Sequence, residues 1–164
     1  MPYFVKARDL SPRKPSMLLT LGSVHLARGD RDAALALFRE GFELEPRYRE
    51  ARIAYASGLI YTGRHTEADA LLAEGFGDVL VDSEQLVRAY FDARLYDRVI
   101  SIWKVRVEKN PTDPQARVSL AAAFLAAGDR TSAVTELERV IELNPTFKEQ
   151  GEFLIKEIRA GRNP

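Results

Sequence analysis

An all-α fold, a solenoid of stacked antiparallel helix pairs, is what this sequence predicts, and three observations predict it. The first is a period of 34 residues, which separates Gly29 from Gly63, Ala34 from Ala68, Pro12 from Pro46, Arg94 from Gly128, and Pro111 from Pro145. The second is punctuation: a Gly-Asp or Gly-Arg break near the middle of the unit at Gly29, Gly63 and Gly128, and a proline near its end at Pro46, Pro111 and Pro145. The third is apolar spacing of helical type on both sides of the break. A unit of this size cannot bury its apolar face alone and must stack on its neighbours. Such an array offers a surface for holding a partner and not a reaction site.

The last full unit, Pro114 to Phe147, sets the frame. Asp113 is placed to cap its first helix, with Pro114 at the first helical position, where a missing N–H costs nothing. Leu120, Ala121 and Phe124 share one face, and Gly128-Asp129 stops the helix in a tight turn. The second helix carries Ala133, Leu137, Val140 and Ile141 as a single apolar stripe and ends at Asn144-Pro145.

The combination of a small residue after a large one in the first helix, an aromatic three residues on, the central Gly, a small residue opening the second helix and a terminal Pro resembles the tetratricopeptide repeat. The resemblance implies a right-handed solenoid in which the first (A) helix of each pair lines a concave groove and the second (B) helix lies outside.

Taken in chain order in that frame, residues 3–14 read as the end of a partial repeat, with Phe4, Ala7, Leu10 and Pro12 as the final turns of a preceding B helix, so the chain is expected to begin inside a repeat. Repeat 1, residues 15–48, matches through Leu21, Gly22, His25, Gly29, Ala34, Phe38, Gly41 and Pro46. Repeat 2, residues 49–79, matches through Tyr55, Ala56, Leu59, Gly63, Ala68, Leu72 and Gly75. The small residues stand where two helices approach closely and a bulky side chain would wedge the hairpin open. Repeat 3, residues 80–113, is degenerate: it keeps Leu86, Tyr90, Val99, Trp103 and Pro111 but puts Val87 and Arg94 in small-residue places. Gly63 and Arg94 are only 31 apart, so three residues, nearly one helical turn, are missing. The B helix of repeat 2 is therefore expected to stop near Glu74, with Gly75-Phe76-Gly77-Asp78 as a connector. Repeat 4 spans 114–147. Residues 148–160 form a capping helix whose apolar edge is Phe147, Leu154, Ile155 and Ile158, with Lys148, Glu149, Glu152, Lys156, Glu157 and Arg159 facing away. The whole of 1–164 reads as one domain.

Twenty-four basic and twenty-four acidic residues leave no net charge, which gives no broad electrostatic reason for a nucleic-acid or membrane-surface partner. The absence of cysteine excludes disulfides, thiolate metal sites and cysteine nucleophiles. The longest uncharged apolar run, Leu120 to Ala127, is far short of the roughly 20 residues of a spanning helix, and the early Lys6, Arg8 and Asp9 do not suit a signal sequence. The expectation is a soluble protein, cytoplasmic in preference to periplasmic. Asn110 and Asn144 precede Pro and are not glycan acceptors.

No catalytic, cofactor-binding or metal-binding set emerges. His25 stands in the slot that is aromatic in the other units, Leu59 apart, and reads as a packed core residue, whereas His65 falls in a turn. Held in different repeats, they suit neither a metal site nor a triad. Gly75-Phe76-Gly77 follows a helix and not a strand, so it lacks the context of a phosphate loop. Glu136 with Glu138, and Glu43 with Glu45, are two apart on helices and point in different directions. The chain is expected not to be an enzyme.

If the A helices face inward, as the resemblance implies, the partner-binding groove consists of Leu19, Ser23 and Leu26; Ile53, Ser57, Ile60 and Tyr61; Glu84, Arg88 and Phe91; and Val118, Ala122 and Leu125. Leu26, Ile60, Phe91 and Leu125 would then form an apolar strip on a wet face, the mark of a site for another segment. The competing expectation is that curvature or the terminal helix buries them. Relatives that clamp the carboxylate tails of chaperones use Lys, Asn and Arg on this face. Here Leu19, Ser23 and Ala54 stand there and only Arg88 remains, so an apolar or helical protein ligand is expected. Self-association through the N-terminal edge, where Leu21 and Tyr3 lack partners, is a further expectation.

A second resemblance rests on the runs KARDLSPRKPSMLLTLG, EARIAYASGLIYTGR and FKEQGEFLIKEIRAGR, which are similar to the repeat-containing tail of bacterial O-antigen ligase or polymerase type membrane proteins. It implies, as the alternative function, a soluble appendage of a polysaccharide-assembly enzyme.

Overall fold

The computed structural model describes residues 14–164, and their regular structure is helical, with no strand among them. The helices are α1 (Pro15–Ala27), α2 (Arg31–Leu44), α3 (Arg49–Tyr61), α4 (His65–Phe76), α5 (Glu84–Asp92), α6 (Tyr96–Lys109), α7 (Pro114–Ala126), α8 (Arg130–Leu143) and α9 (Lys148–Arg159), with one 3-10 turn at Pro145–Phe147. A and B helices alternate as the 34-residue period demands. The reading of Phe4, Ala7, Leu10 and Pro12 as a preceding helix, and the Tyr3 edge, lie outside the described residues. The chain forms two compact units, one ending at Ala93 and the other beginning at Arg94.

The hairpin turns follow directly from backbone sterics. Gly29, Gly63 and Gly128 each follow an A helix with φ of 85°, 78° and 86°, a conformation a Cβ disfavours. The fourth equivalent turn has Arg94 at φ 60°, so the degenerate repeat keeps the turn and forgoes the residue suited to it.

In the first unit α3 is the central element, packed against α1, α2, α4 and α5. Phe38 of α2 is fully buried with Ala34 and Ala54, and Leu19, Leu26 and Tyr55 pack on that cluster. The ring fits because both helices facing it carry glycine. A Cβ on Gly22 would lie 2.5 Å from the Phe38 Cε1, and one on Gly58 would lie 3.0 Å from its Cδ2.

The missing turn falls elsewhere than the sequence suggests. Helix α4 does not stop at Glu74; it runs to Phe76, and Gly77 at φ 74° ends it. Gly75 lies inside the helix because its bare Cα admits Arg52, whose Cδ would be 2.2 Å from a Cβ there. Phe76 is held under the Arg49 guanidinium, 4.9 Å from the ring centroid. The shortfall is shared: α4 has 12 residues where α2 has 14, and α5 has 9 where α3 has 13. Residues 77–83 replace the first turn of the third A helix, anchored by buried Val81 and by the Asp78 carboxylate, which accepts from the Leu80 N–H at 2.9 Å.

In the second unit Ala121, Val134, Leu137, Ile155 and Ile158 form the core, with Leu125, Ile141, Phe147 and Leu154 packed on it. Asp113 caps α7 by accepting from the Gln115 N–H at 2.9 Å, as the residue pattern predicts, and Asp129, read from the sequence only as part of the turn, also caps α8 through the Ser132 N–H at 3.0 Å. Helix α9 buries Ile155 and Ile158, but Phe153 remains 58% exposed.

Candidate functional site

Three A helices of the first unit, α1, α3 and α5, bring their carboxyl ends to one region. A cleft of about 950 Å³ opens there, lined among others by Asp30, Tyr61, His65 and Asp92. Beside it a cleft of about 470 Å³ is lined by Ser23, Leu26, Glu84 and Arg88, and the two share Gly29, Arg31, Tyr61 and Asp92. Arg31 is fixed between them: its Nη1 donates to the Tyr61 carbonyl at 3.2 Å, and its guanidinium lies 6.0 Å from the Tyr61 ring centroid. The Tyr61 hydroxyl donates to Asp92 Oδ2 at 3.1 Å. Burial, and then the neighbouring Asp92 charge, push the Tyr61 phenol up to about 12, so it is a neutral hydrogen-bond donor at ordinary pH.

The expected groove residues separate into three groups. Ser23, Leu26, Tyr61, Glu84 and Arg88 meet around the smaller cleft. Ile53, Ser57 and Ile60 are 6%, 0% and 1% exposed because α3 is packed on four helices, and of the three only Ile60 touches a cleft, at the floor of the larger one. The Ser57 hydroxyl is satisfied internally, donating to the Ile53 carbonyl at 2.9 Å. The expected apolar strip is corrected accordingly. Ile60 is core, Leu125 is half-buried against the core that α9 completes, and Leu26 is half-buried against the Phe38 cluster at the edge of the smaller cleft, so Phe91, 42% exposed, is the strip's most open member among the described residues. Leu19 is likewise half-buried against the Phe38 cluster. Val118, Ala122 and Leu125 belong to the second unit, where Val118 is half-buried and Ala122 exposed.

His25 is not a packed core residue. Its side chain is 27% exposed, and its Nδ1 stands 3.4 Å from Asp30 Oδ2. Both histidines line the larger cleft although they sit in different repeats. Among the described residues no three His, Asp or Glu side chains are grouped to hold a metal ion. Glu136 and Glu138 diverge as expected, Glu136 meeting Arg117 at 2.8 Å and Glu138 meeting Arg159 at 2.8 Å; Glu43 meets Arg39 at 2.7 Å, whereas Glu45 lies just past the end of α2 and not on the helix.

The sequence profile of the tetratricopeptide repeat matches residues 15–58. The solved structure of YrrB, described as a TPR protein with an unusual peptide-binding site, aligns at a TM-score of 0.53 and 16% identity over 96% of this chain and 82% of that one. The fold is that of a tetratricopeptide repeat protein. MamA aligns at a TM-score of 0.56 and 18% identity, over 89% of this chain and 87% of its own. A human IFIT1 dimer with m7Gppp-AAAA aligns at 0.58 and 16% identity over 98% of this chain, which spans 42% of that protein. No curated protein matches the chain in sequence. Among the described residues no helix is long and apolar enough to cross a membrane.

Sequence reasoning missed a set of arginines recurring at fixed places in the tetratricopeptide frame. Arg52 of α3 donates to the Pro46 carbonyl at 3.2 Å and the Leu71 carbonyl at 2.9 Å. Arg117, at the same register of α7, donates to the Pro111 carbonyl at 3.1 Å and to Glu136. At the start of the B helices, Arg31 reaches the end of α3, and Arg130 reaches the Ile158 carbonyl at 3.2 Å and the Arg162 carbonyl at 2.9 Å. Recurrence of arginine at a fixed register was the available signal.

Proposed function

We propose that this chain is a non-catalytic protein-interaction scaffold whose first unit takes an apolar segment or helix of a partner protein against the inward faces of α1, α3 and α5. One observation carries this reading: five of the residues expected in the groove, Ser23, Leu26, Tyr61, Glu84 and Arg88, line a single open cleft, with exposed Phe91 on the same short helix as two of them. An exposed aromatic beside a polar-rimmed cleft is a form that recognition sites take. The peptide-binding site ascribed to YrrB, a protein of the same fold, supports a peptide as the kind of ligand. The lining is mixed, with Ser23, Glu84 and Arg88 beside Leu26, so the partner segment presents polar groups as well as an apolar face.

The test is selection from a displayed library of random short peptides. Selected peptides bind the wild-type chain and lose binding to the Arg88→Glu/Phe91→Asp double variant, while far-UV circular dichroism stays unchanged. Equal binding by the two proteins contradicts the placement of the site.

A further inference from the structure

We infer that the carboxyl end of α5, within the larger cleft, is the seat of an arginine side chain supplied by the partner segment. The inference rests on the peptide-binding reading above and names the chemistry of the ligand.

A helix carboxyl end gathers carbonyls without intrahelical partners and a partial negative charge, and a cation there is favourable. This chain supplies its own cation at two such ends. Arg31, the first residue of α2, donates to Tyr61 O at the end of α3, and Arg130, the first residue of α8, donates to Ile158 O and Arg162 O at the end of α9. In the repeat register the corresponding residue for α5 is His65, the first residue of α4. His65 lines the cleft together with Asp92 and Ala93, yet no hydrogen bond joins it to α5 among the described residues. An imidazole is shorter than a guanidinium and lacks its fork of five donors.

The lining also carries more acid than base. Asp30, Asp32 and Asp92 line the cleft with one guanidinium, that of Arg31, which the Tyr61 carbonyl already holds; Asp30 faces His25 at 3.4 Å, Asp92 accepts from the Tyr61 hydroxyl, and Arg88 stands in the adjoining cleft. A carboxylate beside a helix end offers adjacent acceptors, an arrangement that suits the planar fork of arginine better than the point charge of lysine. With about 950 Å³ the cleft has room for such a side chain to enter from outside. The same geometry that Arg31 and Arg130 build within the chain is thus left for a partner to complete at α5.

The experiment uses the full chain and the peptides selected on it. The expected result is a shared arginine among selected peptides, and about tenfold weaker binding when it is replaced by citrulline, the cost of losing charge-assisted hydrogen bonds at a partly buried site. His65→Arg, which would fill the seat from within, is expected to weaken binding of the arginine peptide to the same degree and to raise the melting temperature. Asp92→Asn, which keeps the shape, is expected to weaken the arginine peptide and leave its citrulline form unaffected, and it serves equally if His65→Arg disturbs the fold. Peptides that bind and lose affinity to Arg88→Glu/Phe91→Asp, yet need no arginine and ignore both cleft variants, overturn this inference and leave the docking reading standing. Failure to select any peptide overturns both.

Discussion

Phe38 fills its place because Gly22 and Gly58 hold no side chain against it, and single residues of this kind decide how close the helices stand. Gly22→Ala would put a Cβ 2.5 Å from the ring of Phe38, which is fully buried. A loss of about 1–3 kcal/mol in chemical denaturation is the expected outcome. Arg94 is the reverse case. At φ 60° it holds a left-handed conformation that glycine adopts freely, so Arg94→Gly should gain about 1 kcal/mol, read as a higher denaturation midpoint at unchanged slope. Tyr61 supplies a pH dependence. Its phenol is raised from an ordinary 10.0 to about 12 in the folded chain, so the unfolded chain ionises first. The stabilising contribution is whole below about pH 10 and is lost as pH rises towards 12. Tyr61→Phe should remove that component from the alkaline limb of a stability–pH curve, whereas an unchanged limb would show that the phenol is not so held.

At the scale of elements, what was readable is what the period itself encodes. The hairpin turns, the cap at Asp113 and the stripe of Ala133, Leu137 and Val140 are local features, set by residues within a few positions of where they act. The shortened repeat was noticed but misplaced, because a deletion of three residues is absorbed wherever packing tolerates it. Here the fit of Arg52 over Gly75 kept α4 helical to Phe76, and the loss was moved onto the first turn of α5. The arginine ties were not readable from composition, since their partners are backbone carbonyls, which every residue supplies. Their role can be measured. Arg130→Ala removes three hydrogen bonds, to Ile158 O, Arg162 O and Asn163 Oδ1, at the end of α9. Faster amide hydrogen exchange in α9, with the α2–α3 amides unaffected, is the expected result.

Across the whole chain the 34-residue period specified the helix pairs and their order, but not which A-helix residues remain open. Position along the repeat says which way a side chain points; whether it meets water depends on how many neighbours its helix has. Helix α3, packed on four others, buries Ile53, Ser57 and Ile60, whereas α5, shortened to nine residues, leaves Phe91 and Arg88 exposed. Leu125 is covered by the core that α9 helps to build, so a chain ending after Leu143 should expose Leu125 and Ile141 and bind a hydrophobic dye that the full chain does not. The balanced charge likewise leaves recognition to local groups such as those around Tyr61 and Asp92. The most direct measurement is amide chemical-shift mapping of the chain with a selected peptide. Perturbations concentrated at Ser23, Leu26, Tyr61, Glu84 and Arg88 are expected, and perturbations confined to the B helices α2 and α4 would contradict the account.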